Sequence, residues 1–174
     1  GHGDYRLITF APWSVMETFE FAALAFSVAD RYRNPVMILS DGIIGQMIEP
    51  VILPEKCDYP VYEKPWATNG ARGRKRNYIT SLYMAPEVLE SVNLQIQAKY
   101  AEVRRNEVRF QEFNTEDADL VLVAYGSVAR ICRTVMNMAR DNGLKVGLHR
   151  PITLFPFPYN RIHELARSGK RFLV

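Results

Sequence analysis

Few residues in this chain combine type and spacing in a way that suggests chemistry. Ser40-Asp41-Gly42 closes an apolar run, and Gly45, Gln46, Met47 and Glu49 follow. A carboxylate at the carboxyl end of a buried strand, beside glycines that allow close backbone approach, sits where α/β sheets collect ligands and partner subunits. Asp41 and Glu49 are therefore candidate acids near a cofactor; the competing reading of Asp41 is a turn residue bonding its own backbone. Ala124-Tyr-Gly-Ser127 places a helix N-terminus directly after a strand, a generic anion site. It lacks the G-x-G-x-x-G and P-loop spacings, so it makes no dinucleotide argument. His149, beside Arg150 at a strand end, is a candidate against the plainer reading of a packed or capped histidine. His2 and His163 are scattered, and no nucleophile, base and acid come together. Met37, Met47, Met136 and Met138 read as core filler. Arg72-Gly-Arg-Lys-Arg76 is basic, but the patterns of a nucleic-acid fold are missing around it, so it reads as a solvated loop.

The elements that must position these residues follow an α/β pattern. Tyr5–Ala11 reads as a strand, and Ser14-x-x-Glu17 has capping-box spacing for a helix over Val15–Arg31. That helix carries an apolar face at Phe19, Ala22, Ala23, Phe26 and Ala29. Asn34-Pro35 ends it. Val36-Met37-Ile38-Leu39 reads as a strand buried on both faces, which completes a βαβ unit with a parallel sheet. Leu53–Thr80 is irregular and proline-rich, as in a segment that wraps another surface or links domains. Pro86–Phe113 reads as one long helix with a stripe at Leu89, Val92, Ile96, Tyr100, Val103 and Val108. A second unit follows. It has a strand at Ala118–Tyr125, a helix at Val128–Arg140 closed by Asn142-Gly143, and a strand at Lys145–His149. Then come a loop over Pro151–Pro158, a short helix over Asn160–Ala166 and a strand from Phe172. The expected fold is two Rossmann-like parallel-sheet units joined by a long loop and helix. Their divisions fall at 1–55, 56–114 and 115–174.

Composition excludes several classes. With 174 residues, 48% apolar and 24% charged, the chain has an ordinary globular balance. A net charge of +3 makes no case for nucleic acid. Cys57 and Cys132 are far apart and form neither a zinc nor an iron–sulfur framework, so a reducing cytoplasm is the default. No stretch reads as a membrane span or signal peptide. The start at Gly1 and the finish on Arg171-Phe-Leu-Val174 lead us to expect a fragment of a longer polypeptide.

Several motifs carry a resemblance. They are Gly1-His-Gly-Asp-Tyr-Arg-Leu-Ile, Ala11-Pro12 before Ser14-Val15-x-Glu17, Asp30-Arg-Tyr-Arg-Asn-Pro-Val-Met-Ile-Leu-Ser-Asp-Gly42 and Gly45-Gln-Met-x-Glu-Pro50. Further on come Gly73-Arg-Lys-Arg-Asn77, Asn93 with Lys99-Tyr100, Ala124-Tyr-Gly126 with Ala129-Arg130, and Val146-Gly-x-x-Arg-Pro-Ile-Thr-Leu-x-Pro-Phe-Pro158. In this order they resemble the alpha subunit of 2-oxoacid:ferredoxin oxidoreductases, over nearly the whole chain. The Asp41-Gly42 and Gly45-Gln-Met47 form looks most like the 2-ketoisovalerate (3-methyl-2-oxobutanoate) branch. The 2-oxoglutarate branch tends to carry an acidic residue after the Asp and a His where Gln46 stands.

The resemblance implies oxidative decarboxylation of a branched-chain 2-oxoacid with CoA, giving acyl-CoA, carbon dioxide and reduced ferredoxin. It implies thiamine diphosphate and magnesium in a complex with a beta subunit, and iron–sulfur clusters on another subunit. It makes 1–55 the second half of a pyrimidine-side domain and 115–174 a truncated domain like the transketolase C-terminal one. In that family the Y-P-I-T-P segment, the cofactor-activating glutamate and the substrate-carboxylate arginine precede the matching region. No catalytic residue therefore carries over, and this chain alone is expected to be inactive and to hold no cofactor. Asp41, Gly42, Gln46 and Met47 are expected at a subunit contact near the cofactor cleft, where they do no chemistry themselves. The alternatives are a non-catalytic α/β interaction module, or the subunit of a related pyruvate or 2-oxoglutarate enzyme.

Overall fold

The computed structural model describes residues 5–56 and 59–174. Cys57 lies outside them. Strand β1 (Ile8–Phe10) leads into helix α1 (Val15–Tyr32), and β2 (Val36–Ile38) returns parallel to β1. The helix starts where the capping-box spacing predicts. Ser14 Oγ accepts the Glu17 N–H at 3.1 Å, and Glu17 Oε2 accepts the Trp13 N–H at 3.0 Å. Arg33, in the left-handed region at φ 45°, closes the last turn through Ala29 and Asp30 carbonyls. The short helix α2 (Gly42–Gln46) follows β2.

Two expectations for this unit fail. The core face of α1 is Phe21, Leu24, Val28 and Tyr32, packed with Ile8, Phe10 and Val103. On the expected face, Phe26 is 77% exposed. Both faces of α1 are apolar, so spacing alone does not select the one that meets the sheet. Nor is β2 buried on both faces, since Met37 and Leu39 are exposed. It is an edge strand with β1 as its single neighbour.

The long helix is shorter than its sequence pattern. Helix α3 (Pro86–Asn106) stops at Glu107, and Phe110–Phe113 forms β3. Tyr100 and Val103 are its buried stripe positions, while Leu89 is exposed. Beyond β3 run β4 (Leu120–Val123), α4 (Gly126–Asp141), β5 (Val146–Pro151), β6 (Thr153–Phe155), α5 (Tyr159–Arg167) and β7 (Arg171–Leu173). The second sheet has the order β3-β5-β4-β7; β4 is parallel to β5 and β7, and β3 is antiparallel to β5. Asn142-Gly143 closes α4 as expected, with Gly143 at φ 81° and Leu144 N–H on the Ala139 carbonyl. Gly147 is required by contact: a Cβ there would meet the Asn114 carbonyl at 2.8 Å.

The segment read as a proline-pinned loop is partly a strand, and it crosses over. Strand β6 pairs antiparallel with β1, giving the first sheet the order β2-β1-β6. Ala11 N–H bonds the Ile152 carbonyl at 2.8 Å, and Thr153 Oγ1 accepts the Arg109 N–H at 2.9 Å. The chain from 47 to 85 holds no helix or strand among the described residues and exposes Ile48, Ile52, Val61, Tyr78, Leu82 and Met84. It is anchored to α1 by Lys64–Asp30 at 2.7 Å and by the Arg33 guanidinium on the Trp66 ring at 4.9 Å. Met136 is core, whereas Met37 and Met138 are exposed.

Candidate functional site

The N-termini of α1, α2 and α4 converge on the loop after β2, and three carboxylates join them. Asp41 caps α2 through Oδ1, which accepts the Ile44 N–H at 2.9 Å. Its other oxygen accepts the Ser127 N–H of α4 at 2.8 Å. These bonds, Ile44 first and Ser127 second, hold the Asp41 carboxyl below its ordinary range. Gly126 makes the approach possible. It sits at φ 59°, and a Cβ would stand 2.9 Å from Asp41 Oδ2. The anion site expected at Ala124–Ser127 is real, and its anion is the chain's own Asp41.

Glu49 does the same for α1. Its Oε2 accepts the Val15 N–H at 2.9 Å, and Oε1 meets Arg130 Nη1 at 2.6 Å. The Val15 amide and then Arg130 hold its carboxyl low. Arg130 also bonds the Trp13 carbonyl at 3.3 Å and lies 3.2 Å from Met47 Sδ. Glu17 is the third. It pairs with the fully buried Arg150, whose Nη1 also donates to Gln111 Oε1 at 2.8 Å. The Arg150 guanidinium lies on the Trp13 ring at 4.1 Å, Trp13 stacks on Phe113 at 5.9 Å, and Arg133 sits on Phe113 at 3.6 Å.

Asp41 and Met47 therefore face α4, within this chain. Gly42 and Gln46 are exposed, and no atom lies within 4 Å of a Cβ built at Gly42 or Gly45. His149 takes its plainer reading: it is buried, with Nδ1 2.8 Å from Glu112 Oε1 and its ring stacked on Phe110 at 5.1 Å. Burial pushes its pKa down, so the neutral ring donates from Nδ1 and leaves Nε2 without a partner. Glu112 stays ionised below its ordinary range, because the Arg161 and His149 bonds outweigh its burial. Arg150, Arg130 and Trp13 were missed as members of one site. Asp41, Glu49 and Ala124–Ser127 were separate signals pointing there, and only the fold joins them to the capping-box Glu17 and its second partner.

Among the described residues, the carboxylate junction does not form a pocket for a diphosphate and its metal. The helix N-terminus that would take a phosphate is closed by Asp41. Among the described residues no three His, Cys, Asp or Glu side chains gather as a cation site. No helix among them is long and apolar enough to cross a membrane.

Fold and site together define an α/β chain of two sheets, locked by carboxylates onto helix N-termini. The pyruvate flavodoxin/ferredoxin oxidoreductase, thiamine diphosphate-binding family matches residues 2–116, and the pyruvate:ferredoxin oxidoreductase core domain II family matches residues 118–174. The chain belongs to the first of these families, which covers well over half of it. It is 48% identical over 99% of its length to a ketoisovalerate oxidoreductase subunit VorB of Methanothermobacter marburgensis, covering 49% of that protein. It is 30% identical to a 2-oxoglutarate synthase subunit KorA of the same organism, covering 53% of that relative. The chain thus spans about half the length of the curated relatives it matches. A 2-oxoglutarate:ferredoxin oxidoreductase from Magnetococcus marinus, solved with 2-oxoglutarate, coenzyme A and succinyl-CoA bound, shares the fold. Its TM-score is 0.74 at 20% identity, over 99% of this chain and 35% of that one.

Proposed function

We propose that this chain is part of the alpha subunit of a branched-chain 2-oxoacid:ferredoxin oxidoreductase working in the cytoplasm. The complex oxidatively decarboxylates 2-ketoisovalerate with CoA, yielding acyl-CoA, carbon dioxide and reduced ferredoxin. One observation carries the reading: 48% identity across 99% of the chain to a ketoisovalerate oxidoreductase subunit, against 30% to a 2-oxoglutarate synthase subunit. Thiamine diphosphate with magnesium, held chiefly by the beta subunit, would supply the carbanion chemistry of decarboxylation. Iron–sulfur clusters on another subunit would accept the electrons.

This chain's own residues serve position. Asp41, Glu49 and Arg130 fix the loop from Gly42 to Ile48 on the α4 N-terminus, and Gly42 and Gln46 stay exposed on it. That exposed side is the contact with the beta subunit near the cofactor cleft. The test uses the full-length protein co-purified with its partners. Viologen reduction should require 2-ketoisovalerate and CoA together. Gln46→Ala with Ile43→Ala, both exposed on that loop, should weaken assembly or raise the substrate requirement. A complex that reduces viologen with neither requirement defeats the activity. Wild-type assembly and kinetics in the double variant defeat the contact.

A further inference from the structure

A cavity lined by the described residues lies away from the carboxylate junction. It has a volume of about 670 Å³, between the last turn of α3, strand β3, the loop after β6 and the first turn of α5. Other cavities lie between about 300 and 430 Å³. Pockets of roughly 300–1,000 Å³ with an apolar lining and a few convergent charges are the size class of small-ligand sites.

The floor is aromatic. Phe110 stacks one face on neutral His149 and leaves its side chain 37% exposed. Phe157 and Tyr159 meet edge to face at 4.9 Å, on a segment stiffened by Pro156 and Pro158. The rim is cationic. Arg161 is bonded to Glu112 and Glu164, so its charge is answered within the chain. Arg104 and Arg105 make no ion pair among the described residues, and Arg104 lies over the Phe155 ring at 5.7 Å. Two arginines without an ion pair among the described residues, on the rim of a cavity with flat apolar rings, suit a ligand with a planar ring at one end and an anion at the other.

We propose that this cavity binds a phosphorylated nucleoside, with the base against Phe110 and Phe157 and the phosphates on Arg104 and Arg105. The proposal stands on the cavity and is independent of the oxoacid reading. Stacking of a base on an aromatic side chain tolerates any base, so the class is set by the ring-plus-phosphate form.

The test is calorimetric titration of the full-length protein, in its complex, with ADP, adenosine and inorganic phosphate. ADP should bind. Arg104→Gln with Arg105→Gln should weaken ADP by about tenfold or more, since charge-assisted contacts are lost. The same change should move adenosine by less than about threefold, and Arg72→Gln, exposed and outside the cavity, should leave ADP unchanged. Any of three results overturns the site: no ADP binding up to millimolar concentration, equal ADP affinity in the double variant, or a partner subunit's peptide occupying the cavity in the complex. Binding is read as heat, so an inactive complex that binds ADP keeps the site and rejects only the oxoacid reading.

Discussion

At the scale of single residues, Asp41 is the most informative side chain, because one carboxylate completes two helices. Asp41→Ala removes the cap of α2 and the acceptor for Ser127. Loss of a cap costs about 1 kcal/mol, and a buried donor left without a partner adds to that. Gly126→Ala forces a left-handed alanine, about 1–2 kcal/mol, and drives a Cβ against Asp41 Oδ2. In a double-mutant cycle read by denaturant midpoints, Gly126→Ala should cost less in the Asp41→Ala background, where the clash is gone. Additive costs would mean that the two do not meet. Arg150 is the second informative residue. Arg150→Met leaves Glu17 without its partner, and truncating a buried pair costs about 3–5 kcal/mol. The expected result is a large fall in melting temperature, and a surface-like change would contradict the lock.

His149 gives a pH signature at the same scale. Its folded pKa lies below the ordinary value of 6.5, chiefly through burial and against the pull of Glu112. Above that pH neither the folded nor the unfolded chain binds the proton, so His149 adds no pH dependence. As pH falls below it, the unfolded chain takes up a proton that the folded one refuses, and stability drops until the folded pKa is passed. His149→Gln should flatten the unfolding midpoint between pH 7 and 5. An unchanged slope would place the dependence elsewhere. The carboxylates of Asp41 and Glu49 act in a lower window. Both are held low, so their contribution is present above their ordinary pKa and is lost as pH falls through the folded value.

At the scale of elements, the sequence was most readable where local chemistry decides. Ser14 and Glu17 mark the start of α1 and Asn142-Gly143 the end of α4, because caps are made by neighbours in the chain. It was least readable where distant pairing decides. Phe110–Phe113 continues a helical pattern but becomes β3, because its partner is β5 about 40 residues further on. Thr153–Phe155, set between prolines, pairs with β1, and no local signal announces that. Of the expected contact, Asp41 was visible as a carboxylate after a strand. Arg130 and Arg150 were not visible as the partners of Glu49 and Glu17, since nothing in sequence spacing relates them. The β6 crossover has its own test. Thr153→Val removes the acceptor for the Arg109 N–H and leaves that donor unsatisfied, a cost of about 1–3 kcal/mol. Amide exchange at Arg109 and Ala11 should speed up first, and unchanged protection at both would contradict the pairing.

At the scale of the whole molecule, the chain is a locked pair of sheets beside a long segment with exposed apolar side chains. We propose that it serves an enzyme of branched-chain 2-oxoacids. The most direct measurement is kcat/KM for viologen reduction by the full-length protein with its partner subunits and CoA, with 2-ketoisovalerate, pyruvate and 2-oxoglutarate compared in one preparation. A pocket that accepts a branched apolar side chain rejects a substrate short of a methylene by roughly 10–200-fold, and the second carboxylate of 2-oxoglutarate would be buried there without a partner. 2-Ketoisovalerate should lead both others by at least about tenfold. A preference for pyruvate or 2-oxoglutarate would contradict it.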